Sequence, residues 1–500
     1  MNRNYAIFLF ILILISAIFL NEYNINYINK IRKPINNILQ NLIANSTVNS
    51  VDNSWYTTQI KNYVKGKGFT INPDDMHSFV RRTPVYPMFY GIHYLLFGEN
   101  DSYFFIRFTQ IFLFAIAAIA LLYGAFNFTN NKKIAIISAC LFGFNPTLVA
   151  YLYFTITEAL SPALVCFIIY FLSRCYKYNH KKDWLFAGFF FAIGILCRPS
   201  IIFLSPSILF LIVYKNKTTL KSLINPSIFF ITGASILMIP HVVRNYINTK
   251  EIVLLEKYYG DPMDYGMPNI AMRHWIACWI NPADFTSEAV SNYMINNITY
   301  NTIEKNVFLQ KEITRLPEVA LIYNNKEKIE IAYNNLYNYY LAKIENQPVA
   351  VIDSLSKISS TSFKKLKTTY TNNAPFHYYV ITPLLFFKSI IFQSNSGQSF
   401  YLQDYQNNKL IFALKTLMYL LNVFLFVSLF IGFFYRKKYG AIYFSTILYL
   451  ASTCIYVIFI LHYFEARYLI PLFPFMYIIG AIVLVEIIGK LKQKITYISK

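Results

Sequence analysis

Apolar runs long enough to cross a lipid bilayer recur along the whole sequence, and short polar segments separate them. A membrane-spanning helix needs about 20 predominantly apolar residues, and the runs here hold roughly that number. Of the 500 residues, 56% are hydrophobic and only 14% are charged. An average soluble domain has about 25% charged residues. The sequence therefore predicts an all-α polytopic membrane protein.

The apolar runs predict ten membrane spans. Their approximate limits are residues 5–20, 103–127, 133–152, 155–173, 184–197, 199–214, 226–243, 409–435, 440–462 and 467–486. The first run is short enough to be a cleavable signal peptide. No small-x-small cleavage site follows it, so we interpret it as an uncleaved anchor. A further apolar stretch, residues 377–394, is interpreted as an interfacial or re-entrant helix on the outer side.

Basic residues in the short loops indicate how the spans are oriented. With ten spans, five basic clusters fall on the same side of the membrane: residues 132–133, 174–182, 215–221, 436–438 and 490–494. Positive charge is enriched in cytoplasmic loops, so both termini are predicted to be cytoplasmic. The net charge of +21 is explained by this topology and does not indicate a nucleic-acid partner.

This topology divides the chain into three regions. Residues 1–243 form an N-terminal transmembrane module that includes a large outer loop, residues 21–102. Residues 244–408 form an extracytoplasmic insert that contains the stretch 377–394, and residues 409–500 form a C-terminal transmembrane module. The six cysteines are scattered without a C-x-x-C pair, so neither a disulfide framework nor a cysteine metal site is predicted.

A few arginines lie on the outer side, where positive charge is otherwise avoided. They are Arg81, Arg82, Arg198, Arg244 and Arg467. Charge at membrane depth costs at least about 2.5 kcal/mol and usually faces a cavity or a partner. One interpretation is that these side chains reach individually to the lipid headgroups. The other is a shared anion, since guanidinium groups form forked, charge-assisted bonds with phosphate. We favour an outward-facing cavity for an anionic lipid headgroup.

Two carboxylates in apolar or amphipathic surroundings are further candidate site residues. Asp52 precedes an amphipathic stretch, where it or Asn53 could be a helix N-cap, with Trp55 and Tyr56 as interfacial aromatics. Glu158 lies a few residues into a predicted span. An unpaired carboxylate is expensive there, so we expect Glu158 to pair with a cation, one of the arginines.

The sequence offers little support for metal, hydrolase or ATPase chemistry. Asp74, Asp75 and His77 lie in "NPDDMH", which could suggest a metal site but is more typical of a solvated turn. H-E-x-x-H, Walker A and G-x-S-x-G motifs are absent from the sequence.

Taken in order, these residues resemble the motifs of bacterial family-39-type glycosyltransferases. These are GT-C membrane enzymes related to protein O-mannosyltransferases and to the lipid A aminoarabinose transferase. The matching residues of the first outer loop are Asp52, Tyr56, Gly66, Gly68, Arg82, Pro84, Tyr86, Pro87, Phe97 and Gly98. Later matches are Phe144–Pro146, Thr157–Glu158, Arg198–Pro199, Arg244–Asn245 and Arg467–Tyr468. The resemblance covers about residues 1–260 and 410–490. The chain differs from the family pattern in two places. It has Asn53 where many relatives have a second acidic residue, and it has a long insert at about 244–376.

The resemblance implies a GT-C-type helical bundle of about ten spans with helical extracytoplasmic loops. It also implies transfer of a sugar from a polyprenyl-phosphate donor to a hydroxyl acceptor, with inversion, on the periplasmic face of a bacterial inner membrane. The acceptor would be a glycan, a lipid or a protein, as in cell-envelope glycan or lipopolysaccharide modification. The lipid-linked sugar is the substrate, and neither a cofactor nor a metal is expected.

The resemblance also implies roles for individual residues, both in the outer loop, residues 21–102, and later in the chain. Asp52 would be the catalytic base. The lipid phosphate would be bound by Arg82, Arg198 and Arg467, with Arg244 and Arg81 as further candidates. The supporting residues would be Tyr56, Glu158, Tyr86 and Tyr468.

Three alternatives remain open from the residues themselves. An O-antigen-type polymerase or ligase also has many spans and a large outer loop, but it uses a pyrophosphate-linked oligosaccharide. A lipid-linked sugar flippase or transporter would show inverted repeats, and none stands out in the sequence. A lipid-binding scaffold without catalysis would tolerate the loss of Asp52.

Overall fold

The computed structural model describes residues 3–31, 52–216, 219–257, 267–280, 313, 316–392, 409–461 and 466–498. Throughout these ranges the regular elements are helices, and no β-strand occurs among them. The prediction of an all-α protein is therefore confirmed. The chain divides into two compact units: the first comprises residues 1–258, 393–453 and 466–500, and the second comprises residues 259–392 and 454–465.

The first unit contains helices from both ends of the chain. Its N-terminal helices are α1 (Arg3–Ile31), α2 (Asn53–Val64), α3 (Val85–Thr129), α4 (Lys132–Gly143), α5 (Pro146–Tyr151), α6 (Thr157–Tyr178), α7 (Lys181–Cys197), α8 (Ser205–Lys215) and α9 (Leu220–Thr249). Short 3₁₀ helices occupy Met76–Val80 and Pro199–Leu204.

The second unit contains the helices of the predicted extracytoplasmic insert. They are α10 (Met267–Ile276), α11 (Glu318–Tyr323), α12 (Lys326–Ile344), α13 (Val349–Asn373) and α14 (Thr382–Ile391), the last preceded by a π-helical turn at His377–Ile381. Its core is aromatic: Trp275 packs against Trp279, Tyr333 and Phe363 with ring centroids 5.4–6.1 Å apart. The sidedness of the stretch 377–394 stays a prediction.

The C-terminal helices of the chain follow. They are α15 (Lys409–Gly432), a 3₁₀ turn (Phe433–Tyr435), α16 (Arg436–Cys454), a π-helical segment (Ile455–Leu461), a 3₁₀ segment (Ala466–Leu472) and α17 (Phe473–Ile498). Within the first unit, α17 packs against α4, α6 and α15. Helices from the two ends of the chain therefore share one core.

Six helical stretches in the described ranges are long and apolar enough to cross a membrane. They are Arg3–Tyr23, Val85–Thr129, Thr157–Tyr178, Ser222–Thr249, Lys409–Leu461 and Arg467–Thr496. Two shorter apolar helices, Pro199–Lys215 and His377–Ile391, accompany them. Only 11% of the apolar window in Ser222–Thr249 is buried within the protein, which leaves an apolar outer face typical of contact with lipid. The protein is an integral membrane protein.

Two breaks in the apolar helices have clear local causes. The predicted span 133–152 consists of α4 and α5, because Asn145 caps α5 by accepting a hydrogen bond from the Leu148 amide and Pro146 follows in the first turn.

Helix α3 bends at Gly98, whose φ is +75°. Residues with a Cβ atom rarely adopt this backbone conformation, whereas glycine adopts it readily. The predicted span 103–127 is the part of α3 beyond this bend.

Helices α7 and α9 approach most closely at a pair of glycines. A Cβ atom on Gly188 would collide with the carbonyl oxygen of Phe230, and one on Gly233 would collide with that of Leu185. In a bilayer, small residues allow helix backbones to approach, and packing then drives their association. The two glycines therefore set the spacing of these two helices.

We expect Gly188→Leu to destabilise the folded protein by about 1–3 kcal/mol, because the added side chain must push the α9 backbone away. The thermal unfolding of detergent-purified protein measures this effect. Gly489→Leu in α17 is the matched control, since nothing lies within 4 Å of the Cβ position there. Equal melting temperatures for the two variants would contradict backbone contact at Gly188.

Candidate active site

Asp52 lies at the start of α2 and is paired with an arginine. Among the described residues its side chain makes no capping hydrogen bond to the helix, although Asp52 occupies the N-cap position. Its Oδ2 atom instead forms an ion pair with Nη1 of Arg467. The carboxylate is 28% exposed and Arg467 is 24% exposed, so both groups remain accessible. The structure therefore does not show the side-chain cap, and it shows an ion pair that the sequence did not predict for Asp52.

Glu158 lies in the first turn of α6 and is almost completely buried, at 2% exposure. Its Oε1 atom is 2.8 Å from Nη1 of Arg198. Thr157 links the two groups, because its hydroxyl accepts a hydrogen bond from Arg198 Nη1 (2.9 Å) and donates one to Glu158 Oε2 (3.1 Å). Burial of a charged carboxylate is tolerated only with such pairing.

Arg198 reaches this position because the helix ends there. The residue before a proline is disfavoured in the α conformation, and Arg198 precedes Pro199 with φ −143° and ψ +107°. Helix α7 therefore stops at Cys197, and the arginine side chain turns towards α6. The Arg–Pro sequence that interrupts an apolar run thus delivers a charge to the site.

Arg467 connects the two carboxylates. Besides its ion pair with Asp52, its Nη1 atom is 3.6 Å from Glu158 Oε1. Its carbonyl oxygen accepts a hydrogen bond from Arg198 Nη2 (3.3 Å), and the ring of Tyr468 lies 6.0 Å from the Arg198 guanidinium. A continuous series of contacts therefore joins Asp52, Arg467, Glu158 and Arg198.

Arg82 borders the same cluster through aromatic contacts. Its guanidinium carbon lies 5.6 Å from the ring centroid of Trp55 and 5.7 Å from that of Tyr56, within range of a cation–π interaction. Its Nε atom is buried and has no hydrogen-bond partner among the described residues. Its Nη1 atom is 4.0 Å from Oε2 of Glu256, which is too long for a hydrogen bond.

Tyr56 lies among these charged groups. Burial raises the pKa of its phenol, while the charge of Arg82 lowers it, and Glu158 and Arg198 are also close enough to affect it. The ring of Tyr86 packs against that of Tyr56, with centroids 5.4 Å apart in an edge-to-face arrangement. The fully buried Tyr86 hydroxyl donates a hydrogen bond to Gln110 Oε1 (2.7 Å).

Two of the predicted arginines make contacts elsewhere. Arg81 pairs with Asp75 at 3.0 Å. Arg244 donates from Nη2 to the carbonyl oxygens of Phe69 and Phe79, both at 2.8 Å, and so ties α9 to the outer segment before α3. The structure brings Arg82, Arg198 and Arg467 together, whereas the contacts described for Arg81 and Arg244 are with other residues.

Glu256 is a site residue that the sequence motifs do not indicate. It follows α9 at the end of an irregular segment, residues 251–257, and burial raises the pKa of its carboxyl, while the charge of Arg82 lowers it. The sequence around it, "EIVLLEKYY", resembles none of the motifs above. With Glu256 included, three carboxylates face three arginines at this site.

The described residues offer no group of three or more His, Cys, Asp or Glu side chains that could hold a metal ion. At the segment 74–77, the amide of Asp74 donates to Asn72 Oδ1 (3.1 Å), as in a turn, and Asp75 pairs with Arg81. The site offers charged and aromatic side chains to a ligand.

A family model and solved structures resemble this chain over different shares of its length. No curated protein matches the chain. Among solved structures, it is similar to the crystal structure of ArnT from Cupriavidus metallidurans bound to undecaprenyl phosphate. The identity is 7% and the TM-score 0.37, over 94% of this chain and 77% of that one. Residues 81–243, about a third of the chain, match the family model of dolichyl-phosphate-mannose-protein mannosyltransferases. Over that segment the chain is similar to the family-39-like GT-C membrane glycosyltransferases, as its motifs predict.

Proposed function

We propose that this protein is a membrane glycosyltransferase that moves a sugar from a polyprenyl-phosphate donor to a hydroxyl group of an acceptor. The observation that carries the proposal is the convergence of Asp52 and three arginines, Arg82, Arg198 and Arg467, in one cluster. Residues 81–243 match a family named for enzymes that use a lipid-phosphate-linked sugar, and this supports the donor class.

In the proposed reaction Asp52 is the general base. It takes the proton of the acceptor hydroxyl as that oxygen attacks the anomeric carbon of the sugar. The bond between this carbon and the phosphate oxygen breaks, and the lipid phosphate leaves with the electron pair. A single displacement of this kind inverts the anomeric configuration. No nucleotide is needed, because the lipid phosphate is the leaving group.

The arginines stabilise the negative charge that develops on the departing phosphate. Fixed positive groups in a water-poor site do this without reorganising during the reaction. Arg82 is the most available of the three, since its nearest carboxylate is 4.0 Å away. Arg467 is paired with Asp52, so a phosphate that binds Arg467 competes with Asp52 and releases the base.

The position of the cluster agrees with the proposed topology. If the basic loops are cytoplasmic, the cluster lies on the opposite face of the membrane. That face then contains the starts of α2 and α6, the end of α7 and the start of the C-terminal 3₁₀ segment. We therefore propose transfer on the periplasmic side of a bacterial inner membrane, with both termini cytoplasmic. The acceptor belongs to the cell-envelope glycans, lipids such as lipopolysaccharide, or proteins.

Binding of a lipid phosphate is tested with Arg82→Ala. We expect the variant to bind undecaprenyl phosphate about 10–100-fold more weakly, because hydrogen bonds to charged groups contribute about 1.5–3 kcal/mol. The measurement is a binding titration of purified protein in nanodiscs, together with mass spectrometry of lipids that co-purify with it. Lys67→Ala removes an exposed positive charge from the same outer segment and is the matched control. If Arg82→Ala and Lys67→Ala retain the lipid equally, Arg82 is not part of a phosphate site.

The same preparation tests the reaction itself. Wild-type protein should convert a polyprenyl-phosphate sugar into a glycosylated acceptor and free polyprenyl phosphate. Movement of the lipid-linked sugar across the bilayer without a covalent product would identify a transporter. A strict requirement for a pyrophosphate-linked oligosaccharide would identify a polymerase or ligase.

A further inference from the structure

The segment that carries Glu256 is held against α9 by a row of polar side chains. We call residues 251–257 the strap. The row consists of His241, Asn245 and Thr249, spaced four residues apart on one face of α9. Their partners are the strap carbonyl oxygens of Leu255 (2.9 Å), Val253 (2.9 Å) and Glu251 (3.4 Å), respectively.

The spacing of the two rows explains why the strap follows the helix. Four residues of an α-helix advance about 6 Å, and two residues of extended chain advance about 6.6 Å. Alternate strap carbonyls therefore stay in step with every fourth side chain of α9. Asn245 is also linked to His241 at 3.1 Å, so the row is itself connected.

The strap ends at the site. The amide of Lys257 donates to the carbonyl oxygen of Val80 at 2.9 Å, two residues before Arg82. Glu256 is the strap residue next to this bond, and its carboxylate is 32% exposed. The strap thus holds Glu256 and Arg82 beside each other from two different parts of the chain.

Glu256 and Arg82 lie side by side, and a ligand could contact both of them at once. Their closest charged atoms are 4.0 Å apart, so the two side chains do not form a direct hydrogen bond. The Nε atom of Arg82 is buried without a partner among the described residues. A ligand that bridges the two would need a negative group for the guanidinium and a hydrogen-bond donor for the carboxylate.

We propose that Glu256 binds hydroxyl groups of the transferred sugar and is a specificity-determining residue. This inference rests on the proposed function, because a sugar bonded directly to a phosphate is the ligand that offers both groups side by side. An ionised carboxylate is only an acceptor of hydrogen bonds, so Glu256 repels the phosphate and accepts from sugar hydroxyls. A site built to accept such hydrogen bonds discriminates against ligands that lack them.

The test compares a lipid phosphate with and without its sugar. The probes are undecaprenyl phosphate and a panel of undecaprenyl-phosphate pentoses and hexoses, titrated into full-length protein in nanodiscs. Wild type should bind its best sugar-bearing lipid more tightly than undecaprenyl phosphate. Glu256→Gln should weaken binding of that sugar-bearing lipid about 10–100-fold. It should not weaken binding of undecaprenyl phosphate, because the substitution removes a negative charge beside Arg82. Arg82→Ala should weaken both.

Glu251→Gln is the matched control, since Glu251 is the other carboxylate of the strap and pairs with Lys257 at 2.5 Å. It should leave both affinities unchanged. Equal binding of the sugar-bearing lipid by wild type and Glu256→Gln would overturn the proposal, as would an equal loss of both lipids. If wild type binds neither lipid, the proposed function itself fails, and the role of Glu256 fails with it.

Discussion

Asp52→Asn is expected to reduce sugar transfer at least about 100-fold, because a general base contributes roughly 10²–10⁴-fold to a reaction of this kind. Asparagine has the shape of aspartate but cannot take the acceptor proton. Arg467 keeps a carboxylate partner in the variant, since Glu158 Oε1 lies 3.6 Å from its Nη1 atom. The variant should therefore fold, and it should bind undecaprenyl phosphate at least as well as wild type does.

Single-turnover assays with enzyme pre-loaded with donor separate the chemical step from binding. The control is Asp101→Asn, because Asp101 is an exposed aspartate of the same predicted outer loop. This variant should transfer the sugar at the wild-type rate. A turnover of Asp52→Asn within a few-fold of wild type would show that another group takes the proton.

Arg198→Met is expected to be the most destabilising substitution at the site. It leaves the buried Glu158 carboxylate without the partner that lies 2.8 Å away. Removal of one member of a buried ion pair typically costs about 3–5 kcal/mol. Arg467, at 3.6 Å, offsets part of this cost, so we expect a value near the lower end of the range.

Replacement of both Arg198 and Glu158 shows whether the loss of stability comes from the broken ion pair or from a general packing defect. Arg198→Met with Glu158→Leu should recover most of the stability, because no buried charge is left unpaired. It should not recover transfer. Unfolding in detergent measures the stability, with Arg436→Ala as a control, since the Arg436 side chain contacts Phe433 at the surface. A double variant no more stable than Arg198→Met would argue against the ion pair as the cause.

Charge in apolar surroundings proved the most informative signal in the sequence. Arg198 and Glu158 could be selected because each is expensive in lipid, and the structure places them in contact. Arg467 and Asp52 are 415 positions apart, and they form an ion pair. Their proximity depends on α17 packing with the N-terminal helices, which no local pattern predicts.

Other features could not be predicted from local sequence. Arg81 and Arg244 have the same residue type and the same predicted side of the membrane as Arg82. Their partners differ: they include a nearby aspartate for Arg81 and backbone carbonyl oxygens for Arg244. Glu256 was missed because its position depends on the strap folding back along α9. By contrast, the Asn145–Pro146 pair is a local signal that would have predicted the break between α4 and α5.

The three carboxylates and three arginines of the site carry formal charges that cancel. A cluster of this kind projects little electrostatic potential into the surrounding water, so it does not draw free anions from a distance. A small soluble phosphate must break the existing ion pairs and has no apolar tail to offset that cost. It should therefore compete poorly with a lipid phosphate for this site. Under the proposed function, selection of the ligand thus depends on delivery within the plane of the bilayer, where a polyprenyl chain keeps the phosphate at high local concentration.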